Sequence, residues 1–454
     1  MFDKLKQVLA GVEADYADIR YEVKHETKIG FSGRELTQLS ASSTDGHVVR
    51  VLKAGGFASV AFTRFEDAPK AVKAACENAA LVGSQAREPV RLAEVEPVRD
   101  RVEPALEEDP RRVPVEEKLA LLRDYNAIPL AEERVATTEM AYADVIREKW
   151  FLSTEGAEVN EDLVTVRLGG AVVARDGSLT QTVRVGMGGS NGFQKLRGRE
   201  ELVGQRTKLA CDLLKAEPVT AGTYRVVMDQ QLAGVFTHEA FGHFSEADLI
   251  QDAPTMRAKM KLGAKLGSDV LSIIDDPTMP FVLGHYRYDD EGVRARPTQL
   301  MKDGVLVGRL HSRRTAAAMG EPVSGHCVAE DYRYAPIIRM GTIYIEPGED
   351  DFDALLAGLG DGLYLCNHMG GQTAGENFTF GAQYGWVVKG GKRVKMVRDI
   401  NISGNLYATL GSIARVGRDL KLGETGGCGK GQTNIRSCFG APHVLVEGLV
   451  IGGR

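Results

Sequence analysis

The sequence predicts an α+β fold, in which a mixed α/β N-terminal region is followed by a β-rich, glycine-rich C-terminal domain. Two observations indicate this arrangement. In the first half of the chain, stretches of alternating apolar and polar residues, typical of strands, are interspersed with helical patterns. The chain contains 52 glycines, many of which follow Gly325 and separate short apolar stretches. At 454 residues, the chain has room for two or three domains.

The first predicted domain, residues 1–87, combines strands with a helix. Apolar and polar residues alternate over residues 19–23, which is typical of a strand, and a glycine turn at 53–56 joins two further strands as a hairpin. A helix with an apolar face is expected over residues 67–81. Residues 88–113 are predicted to be a connector, because their regularly placed prolines exclude a continuous helix or a central strand.

Two further domains are predicted after the connector. Residues 114–217 form a central α/β domain, which begins with a helix at 114–126 and ends with a helix at 199–215. Residues 218–454 form the β-rich domain, in which a short strand leads directly into one prominent helix.

Composition excludes two classes of partner. The net charge of −6 and the lack of a basic stretch argue against nucleic-acid binding. We find no apolar run long enough to span a membrane and no apolar signal-peptide region at the start of the sequence. The six cysteines are scattered, unlike those of a disulfide scaffold. We therefore expect free thiols and a cytoplasmic location.

The prominent helix carries the motif His238-Glu239-x-x-x-His243, which contains two imidazoles and a carboxylate. Imidazole nitrogen is a good zinc ligand, and a neighbouring glutamate is suited to take a proton from water at the metal. The spacing is one residue longer than in the zinc-protease pattern H-E-x-x-H. The motif therefore predicts a metal site with its own general base.

The five-residue spacing constrains the helix, because residues i and i+5 of a regular α-helix are about 140° apart around its axis. Both histidines reach one metal only if the helix is widened by a π-bulge or ends between them. Gly242 suits a helix end, because glycine tolerates the left-handed conformation found there. We therefore predict a helix over residues 230–241, with His243 presented from its broken end.

Two histidines are too few to hold zinc tightly, so a third protein ligand is expected. Glu246 is one option, although a solvated carboxylate beside Asp248 is the expectation we favour for it. The pair Cys366 and His368 is a second option. Cys428 is the third and preferred option, because its thiolate binds zinc well and the glycines on both sides allow close approach of the backbone. The residues alone leave this choice open.

Several motifs resemble those of the TldD/PmbA (TldD/TldE) family, in particular its TldD branch. The pairing of His238-Glu239-x-x-x-His243 with the glycine-flanked Cys428 is similar to that branch. Further matching stretches are Asp-Asp-Glu-Gly at 289–292, Asp-Gly-Val-Leu at 303–306, Arg-Thr-Ala at 314–316, Gly-Gly-Gln at 370–372 and Phe-Thr-Phe at 378–380. The resemblance covers nearly the whole chain and is densest from about residue 222 onward.

The resemblance implies an intracellular zinc-dependent peptidase that acts on unfolded or partly degraded peptides. By this analogy His238, His243 and Cys428 ligate Zn²⁺, and Glu239 is the general base. Cys438, ten residues further on, is an alternative thiol ligand. The resemblance also implies a dimer, formed either by two copies of this chain or with a TldE/PmbA-like relative that lacks the motif.

Residues that position the substrate are less clearly marked in the sequence. His285, Tyr286 and His368 are candidates for stabilising the oxyanion, and Lys430 is a candidate for binding the peptide or favouring the Cys428 thiolate. The alternative function is a non-catalytic peptide-binding or assembly subunit of a protease complex. Glu239 argues against that alternative, because a purely structural metal site needs no base.

Overall fold

The first half of the protein is built on one seven-stranded sheet in a computed structural model that describes residues 1–453. Its strands are β1 (Tyr16–Ser32), β2 (Glu35–Lys53), β3 (Gly56–Phe62), β4 (Arg99–Val102), β5 (Val135–Ser153), β6 (Glu158–Asp176) and β7 (Leu179–Gly189). They pair in the order β3-β2-β1-β5-β6, and β6 also pairs with β4 and β7. Because β1 pairs with β5, the sheet draws strands from both the first and the central predicted domain, whose boundaries stay a prediction.

Four helices accompany this sheet: α1 (Phe2–Leu9), α2 (Ala68–Gln85), α3 (Val115–Leu130) and α4 (Glu200–Leu213). α2 contacts β2 and β3, whereas α3 contacts β5 and α4 contacts β7. Each group encloses its own cluster of buried apolar side chains. Short 3₁₀ turns occur at Phe65–Asp67, Pro110–Arg112 and Phe193–Leu196.

The second half of the protein is rich in short strands, as the sequence predicted. Its strands are β8 (Glu217–Pro218), β9 (Gly222–Met228), β10 (Ile273–Asp275), β11 (Thr298–Lys302), β12 (Val305–Leu306), β13 (Cys327–Val328), β14 (Ile337–Ile338), β15 (Thr342–Ile345), β16 (Gly362–Ala374), β17 (Asn377–Lys389), β18 (Lys392–Arg398), β19 (Ile400–Asn405), β20 (Ile413–Val416), β21 (Lys421–Leu422), β22 (Cys438–Ala441) and β23 (Val444–Gly452). Its helices are α5 (Gln230–Phe236), α6 (Ala247–Gln251), α7 (Pro254–Lys259), α8 (Arg313–Met319), α9 (Phe352–Leu359) and α10 (Leu406–Gly411).

Two sheets of this half enclose the helix that carries the motif. Strands β16, β9, β23, β19 and β17 pair in a closed cycle, since β17 also pairs with β16. A second, six-stranded sheet has the order β12-β11-β10-β15-β22-β21. α5 contacts both β16 and β22 and lies within the largest apolar cluster of the described residues. The predicted α+β class, with a β-rich second half that carries this helix, is therefore confirmed.

Buried charges join the two halves of the protein. The carboxylate of Asp290, in the loop before β11, lies 3.1 Å from Lys149 Nζ and 3.2 Å from Arg147 Nη2, both on β5. Burial alone would raise the pKa of Asp290, but the positive charges of Arg147, Lys149 and Arg20 outweigh it and hold the pKa well below its usual value. This carboxylate is therefore ionised and paired inside the protein.

The neighbouring carboxylate makes a second connection. Glu291 Oε1 lies 3.2 Å from Arg50 Nη1 on β2, and Glu291 Oε2 accepts a hydrogen bond of 2.7 Å from the backbone N–H of Arg313. Arg50 also pairs with Asp18 on β1 at 2.6 Å. We call the set Asp18, Arg20, Glu22, Arg50, Arg147, Lys149, Asp290 and Glu291 the charged seam; all eight side chains are buried.

We expect Asp290→Asn to lower the free energy of unfolding by about 3–5 kcal/mol at pH 7, because it leaves buried cations without their partner. The folded-state pKa of Asp290 lies below its unfolded value of about 3.9. The ionised carboxylate therefore stabilises the fold above that pH, and this contribution is lost as the pH falls. The variant should accordingly lose less stability than the wild type on acidification. Urea unfolding followed by circular dichroism at several pH values measures both effects.

The matched control is Asp361→Asn, which removes a carboxylate that pairs with Lys389 at the exposed surface. It should leave the unfolding midpoint essentially unchanged. Equal losses of stability in the two variants would contradict a structural role for the charged seam.

Candidate metal centre

The helix that carries the motif widens at the two histidines. α5 continues into a π-helical turn at Thr237–Gly242 and then into a 3₁₀ turn at His243–Ser245. A π-turn contains more residues per turn than an α-turn, so side chains five residues apart come to the same side. The ring centroids of His238 and His243 are consequently only 5.3 Å apart.

The predicted helix break at Gly242 is wrong. Gly242 is right-handed, with φ −57° and ψ −46°, and the helical path runs through it. Glycine is required here for packing, since a Cβ at this position would lie 2.2 Å from Met340 Sδ and 3.0 Å from Ile343 Cδ1 on β15. Of the two ways to bring the histidines together, the structure therefore uses the π-bulge.

Cys428 lies opposite the π-turn, in the loop between β21 and β22. The loop folds back on itself, because Cys428 and Ile435 exchange two backbone hydrogen bonds of 2.9 and 3.0 Å. β22 in turn contacts the π-turn. The loop thereby brings the thiol to the two histidines across 185 residues of sequence.

Four side chains converge at this place. Ligand atoms of His238, Glu239, His243 and Cys428 all lie within 4.8 Å of one another. Cys428 Sγ is 3.7 Å from His243 Nε2, and Glu239 Oε2 is 3.4 Å from the same nitrogen. His238 Nδ1 is buried and has no hydrogen-bond partner among the described residues. Zinc bound tetrahedrally by a thiolate and an imidazole places sulfur and nitrogen about 3.5 Å apart, so this donor set fits the ion.

The surroundings of Cys428 and His243 favour the charged form of each side chain. Burial would raise the pKa of Cys428, but hydrogen bonds to His238 and His243 outweigh burial and lower the pKa to about 6. Burial would lower the pKa of His243, but contacts with Cys428, Glu239 and Glu246 raise it to about 11. Without a metal, the cluster therefore holds a thiolate–imidazolium pair at neutral pH.

Glu239 is ionised at the edge of the cluster. Burial would raise its pKa, but the hydrogen bond from His243 and the charge of His238 outweigh burial and lower it. Its side chain is still 29% exposed, so the carboxylate reaches both the cluster and the solvent. An ionised carboxylate in this position can accept a proton.

Glu246 contacts His243 on the side of the ring that faces away from Cys428. The expectation of a solvated carboxylate is wrong, because the side chain is fully buried. Its oxygens lie 3.6 Å from His243 Nδ1, 3.1 Å from Arg339 Nη1 and 2.9 Å from Lys430 Nζ. Glu246 therefore faces the ring nitrogen that points away from Cys428, where a carboxylate fixes the orientation of a metal-binding imidazole.

Lys430 belongs to the same hydrogen-bond network and is half-buried. Its Nζ lies 2.9 Å from Glu246 Oε2 and 2.8 Å from both carboxylate oxygens of Asp248, and it donates to the carbonyl oxygen of Ile338 at 2.9 Å. These contacts occupy its ammonium group and leave no free donor to place on a peptide. Arg339, which the sequence analysis missed, is fully buried beside Glu246, and no motif in the sequence marks it.

His368 also lies beside the cluster and, unlike Lys430, forms no ion pair among the described residues. Its ring lies edge-on to that of Phe439, with 5.7 Å between the ring centroids, and the centroid of the His238 ring is 5.9 Å from that of the same phenyl ring. Burial, followed by the positive charge of Arg184, lowers the pKa of His368 to about 4. A neutral His368 thus lines a cavity of about 450 Å³, whose wall also includes Gln231 on α5.

The other candidates lie elsewhere. His285 Nδ1 is 3.1 Å from the carbonyl oxygen of Pro277, and the buried hydroxyl of Tyr286 donates to the carbonyl oxygen of Gly325 at 3.2 Å. Cys366 and Cys438 are buried and outside the four-residue group, and burial raises the pKa of both thiols. The structure thus brings together His238, Glu239, His243 and Cys428, with His368 beside them.

Family models match three parts of the chain. They are described as domain 1, the central domain and the C-terminal domain of the PmbA/TldA metallopeptidases, and they match residues 17–79, 108–213 and 221–453.

Individual relatives agree with these matches. A metalloprotease of Synechocystis sp. is 35% identical over 97% of this chain and 95% of its own length. A zinc metalloprotease TldD homolog of Saccharolobus solfataricus is 31% identical over 70% of this chain and 72% of its own length. The crystal structure of TldE from Thermococcus kodakarensis has a TM-score of 0.80 at 18% identity, over 99% of this chain and all of that one, and so shares the fold.

We expect the Cys428 thiol of the metal-free protein to be alkylated by iodoacetamide at rates that rise through a midpoint near pH 6. The thiolate is the reactive form, and its pKa lies well below the usual value of about 8.5. Mass spectrometry of peptides after timed alkylation measures the rate. Cys438, whose pKa is raised to about 12, is the internal control and should stay unmodified at pH 7. A Cys428 midpoint above pH 8 would contradict the thiolate–imidazolium pair.

We expect Glu246→Gln to weaken metal binding about 10- to 100-fold, because the amide leaves His243 without its orienting carboxylate. Competition with a chromogenic chelator measures the affinity. Glu330→Gln, which alters a carboxylate that accepts backbone hydrogen bonds in the outer part of the Cys428 loop, is the control. Equal affinities of the Glu246 variant and the wild type would contradict the supporting role.

Proposed function

The chain belongs to the PmbA/TldA metallopeptidase family, and from this membership we propose that it is a zinc-dependent peptidase that hydrolyses unfolded or partly degraded peptides. The observation that carries the proposal is the convergence of two imidazoles, a thiol and a carboxylate within 4.8 Å. This donor set combines soft and intermediate ligands that zinc prefers with a carboxylate that is free to act as a base.

His238, His243 and Cys428 are the proposed zinc ligands. The low pKa of Cys428 supplies a thiolate, the form that binds metals, and His243 has to release its proton when the ion binds. These three residues would hold a zinc ion, which would supply the Lewis acidity that activates water near neutral pH. Glu246 keeps the ring of His243 in place from the opposite side.

Glu239 is the proposed general base. It follows His238 directly, is ionised and retains access to solvent. Its carboxylate accepts a proton from the water that attacks the peptide carbonyl, and it passes that proton to the leaving amine. His368, neutral and adjacent to the cluster, is the remaining candidate to donate a hydrogen bond to the developing oxyanion.

We further propose that the chain works as a dimer in the cytoplasm, with a second copy of itself or with a TldE/PmbA-like relative that lacks the motif. The outer part of β2, residues 35–45, is exposed and pairs only with β1, and it carries the exposed side chains of Leu36 and Leu39. An unpaired strand edge of this kind readily pairs with another chain. All six cysteines are free thiols, which fits a reducing compartment.

No helix within residues 1–453 is long and apolar enough to cross a membrane.

The second candidate function is a non-catalytic subunit that binds peptides for a partner. The position and ionisation of Glu239 favour the enzyme, because a site used only for binding needs no proton acceptor. The two functions differ in the response to a chelator. A peptidase loses activity when zinc is removed, whereas a binding subunit shows no hydrolysis under either condition.

We expect about one zinc per chain in the purified protein and a marked loss of zinc in Cys428→Ser. Glu239→Gln should keep the zinc and lose at least about 100-fold in the hydrolysis of a fluorogenic unstructured peptide, because the base is gone while the ligands remain. Elemental analysis and peptide assays on the same samples measure both quantities.

Cys76→Ser, which replaces a thiol in the apolar cluster of α2, is the control and should change neither quantity. Unchanged zinc in Cys428→Ser would remove this thiol from the ligand set. Full hydrolysis by Glu239→Gln would refute the base, and a wild type that binds zinc but never cleaves peptides would favour the binding subunit.

A further inference from the structure

A cavity of about 420 Å³ lies between the N-terminal sheet and the second half of the protein. Side chains of β1, β5 and β6 line one side of it, and Tyr286 and the end of the Cys428 loop, at Asn434–Arg436, line the other. Four arginines line this cavity. Arg147 and Arg333 pair with carboxylates, whereas Arg167, on β6, and Arg436, in the loop, do not.

The guanidinium groups of Arg167 and Arg436 have buried donors without acceptors. The Nε and Nη1 atoms of Arg436 and the Nε atom of Arg167 are buried and have no hydrogen-bond partner among the described residues. Arg436 makes a single hydrogen bond, from Nη2 to the carbonyl oxygen of Val164 at 3.2 Å. Neither arginine takes part in an ion pair with a described carboxylate.

The acidic groups near these arginines are already engaged. Glu161 is the strongest negative influence on Arg436, but it accepts hydrogen bonds from the backbone of Arg287 and Tyr288 and lies 3.4 Å from Lys149 Nζ. Three carboxylates line the cavity itself. Asp290 pairs within the charged seam, Glu26 pairs with Lys28, and Glu330 accepts hydrogen bonds from the backbone of the Cys428 loop. The cavity therefore keeps uncompensated positive charge in a protein whose net charge is −6.

Such charge is costly to bury. Burial lowers the pKa of Arg436 to about 10 and also lowers that of Arg167. Buried cations are ordinarily paired, and a guanidinium presents its donors in a fork that matches the two oxygens of a carboxylate. An anion in the cavity would satisfy these donors and offset the cost.

The arginines lie close to the proposed zinc ligands. A Cβ built on Gly427 would be 3.5 Å from Arg167 Nη1, so this nitrogen is within roughly 9 Å of the Cys428 Cα. Arg436 follows Ile435, which pairs with Cys428. Arg167 also lines the second cavity, which contains His368. The Cys428 loop thus contacts Arg167 at Gly427 and carries Arg436 eight residues after the Cys428 thiol.

We propose that Arg167 and Arg436 form a carboxylate-binding subsite that anchors the peptide beside the metal centre. The proposal rests on the peptidase function proposed above. The bound carboxylate is either the C-terminal carboxylate of the peptide or the side chain of an acidic residue within it. Because an extended chain spans about 3.3 Å per residue, the anchored carboxylate lies within about three residues of the bond that is cleaved.

The test measures binding without cleavage. Glu239→Gln protein is titrated with a labelled neutral peptide as its free acid, as its C-terminal amide, and as an amide with one internal glutamate, and fluorescence anisotropy gives each Kd. We expect the free acid, the glutamate-containing amide, or both to bind at least about tenfold more tightly than the neutral amide. The peptide that gains affinity identifies the source of the carboxylate.

Arg436→Met and Arg167→Met, each in the Glu239→Gln background, should abolish this difference while leaving the affinity for the neutral amide unchanged. Arg64→Met removes an exposed arginine that pairs with Asp67 and should preserve the difference. Removal of an unpaired, half-buried charge should not lower the melting temperature of either variant. If a variant fails to fold, the affinities of the three peptides for Glu239→Gln protein, in which both arginines are intact, still test the subsite.

Equal affinities for all three peptides would overturn the subsite, as would a difference that survives both substitutions. Hydrolysis of the neutral amide by protein with Glu239 intact separates this failure from a failure of the peptidase function. Cleavage without a carboxylate preference would support the peptidase function and contradict the subsite. A carboxylate preference without any cleavage leaves the subsite and removes the function.

Discussion

The arrangement of the two halves depends on the carboxylate of Asp290. It enters the N-terminal sheet as a buried anion and meets Arg147 and Lys149 there, while Glu291 meets Arg50 one residue later. Charges buried in this way are tolerated only with their partners in place. The second half of the protein consequently has one position against the sheet, since sliding in either direction would separate the pairs.

This position also determines the surroundings of the metal centre. β6 places Arg167 against Gly427, next to the Cys428 thiol, and the loop that carries the thiol ends at Arg436 in the cavity under the sheet. The histidines come from the second half alone, where α5 is enclosed between two sheets. The four clustered side chains therefore come from the second half of the protein. Arg167, which lies against the Cys428 loop, comes from the first half.

The sequence predicted the fold class, and its motif predicted that His238, Glu239 and His243 lie together. Cys428 followed from the family resemblance, because the residues alone left the third ligand open. The sequence did not predict the helical geometry, because the same glycine suits both a helix end and a close contact with Met340. Nor did it predict the charged seam. Asp18, Arg20 and Glu22 alternate along β1 as on a solvent-exposed strand, and only packing from a distant part of the chain buries them. Glu246 was misjudged for the same reason.

The thiolate of Cys428 has a consequence for the lifetime of the protein. A low-pKa thiol reacts readily with peroxide, first to a sulfenic acid that reductants restore and then to sulfinic and sulfonic acids that they do not. Coordination of the proposed zinc ion would occupy the sulfur and so shield it from this chemistry. A chain that lost the proposed ion would be exposed to irreversible oxidation until it bound metal again. The supply of metal would then determine how long the protein keeps a thiol that reductants can restore.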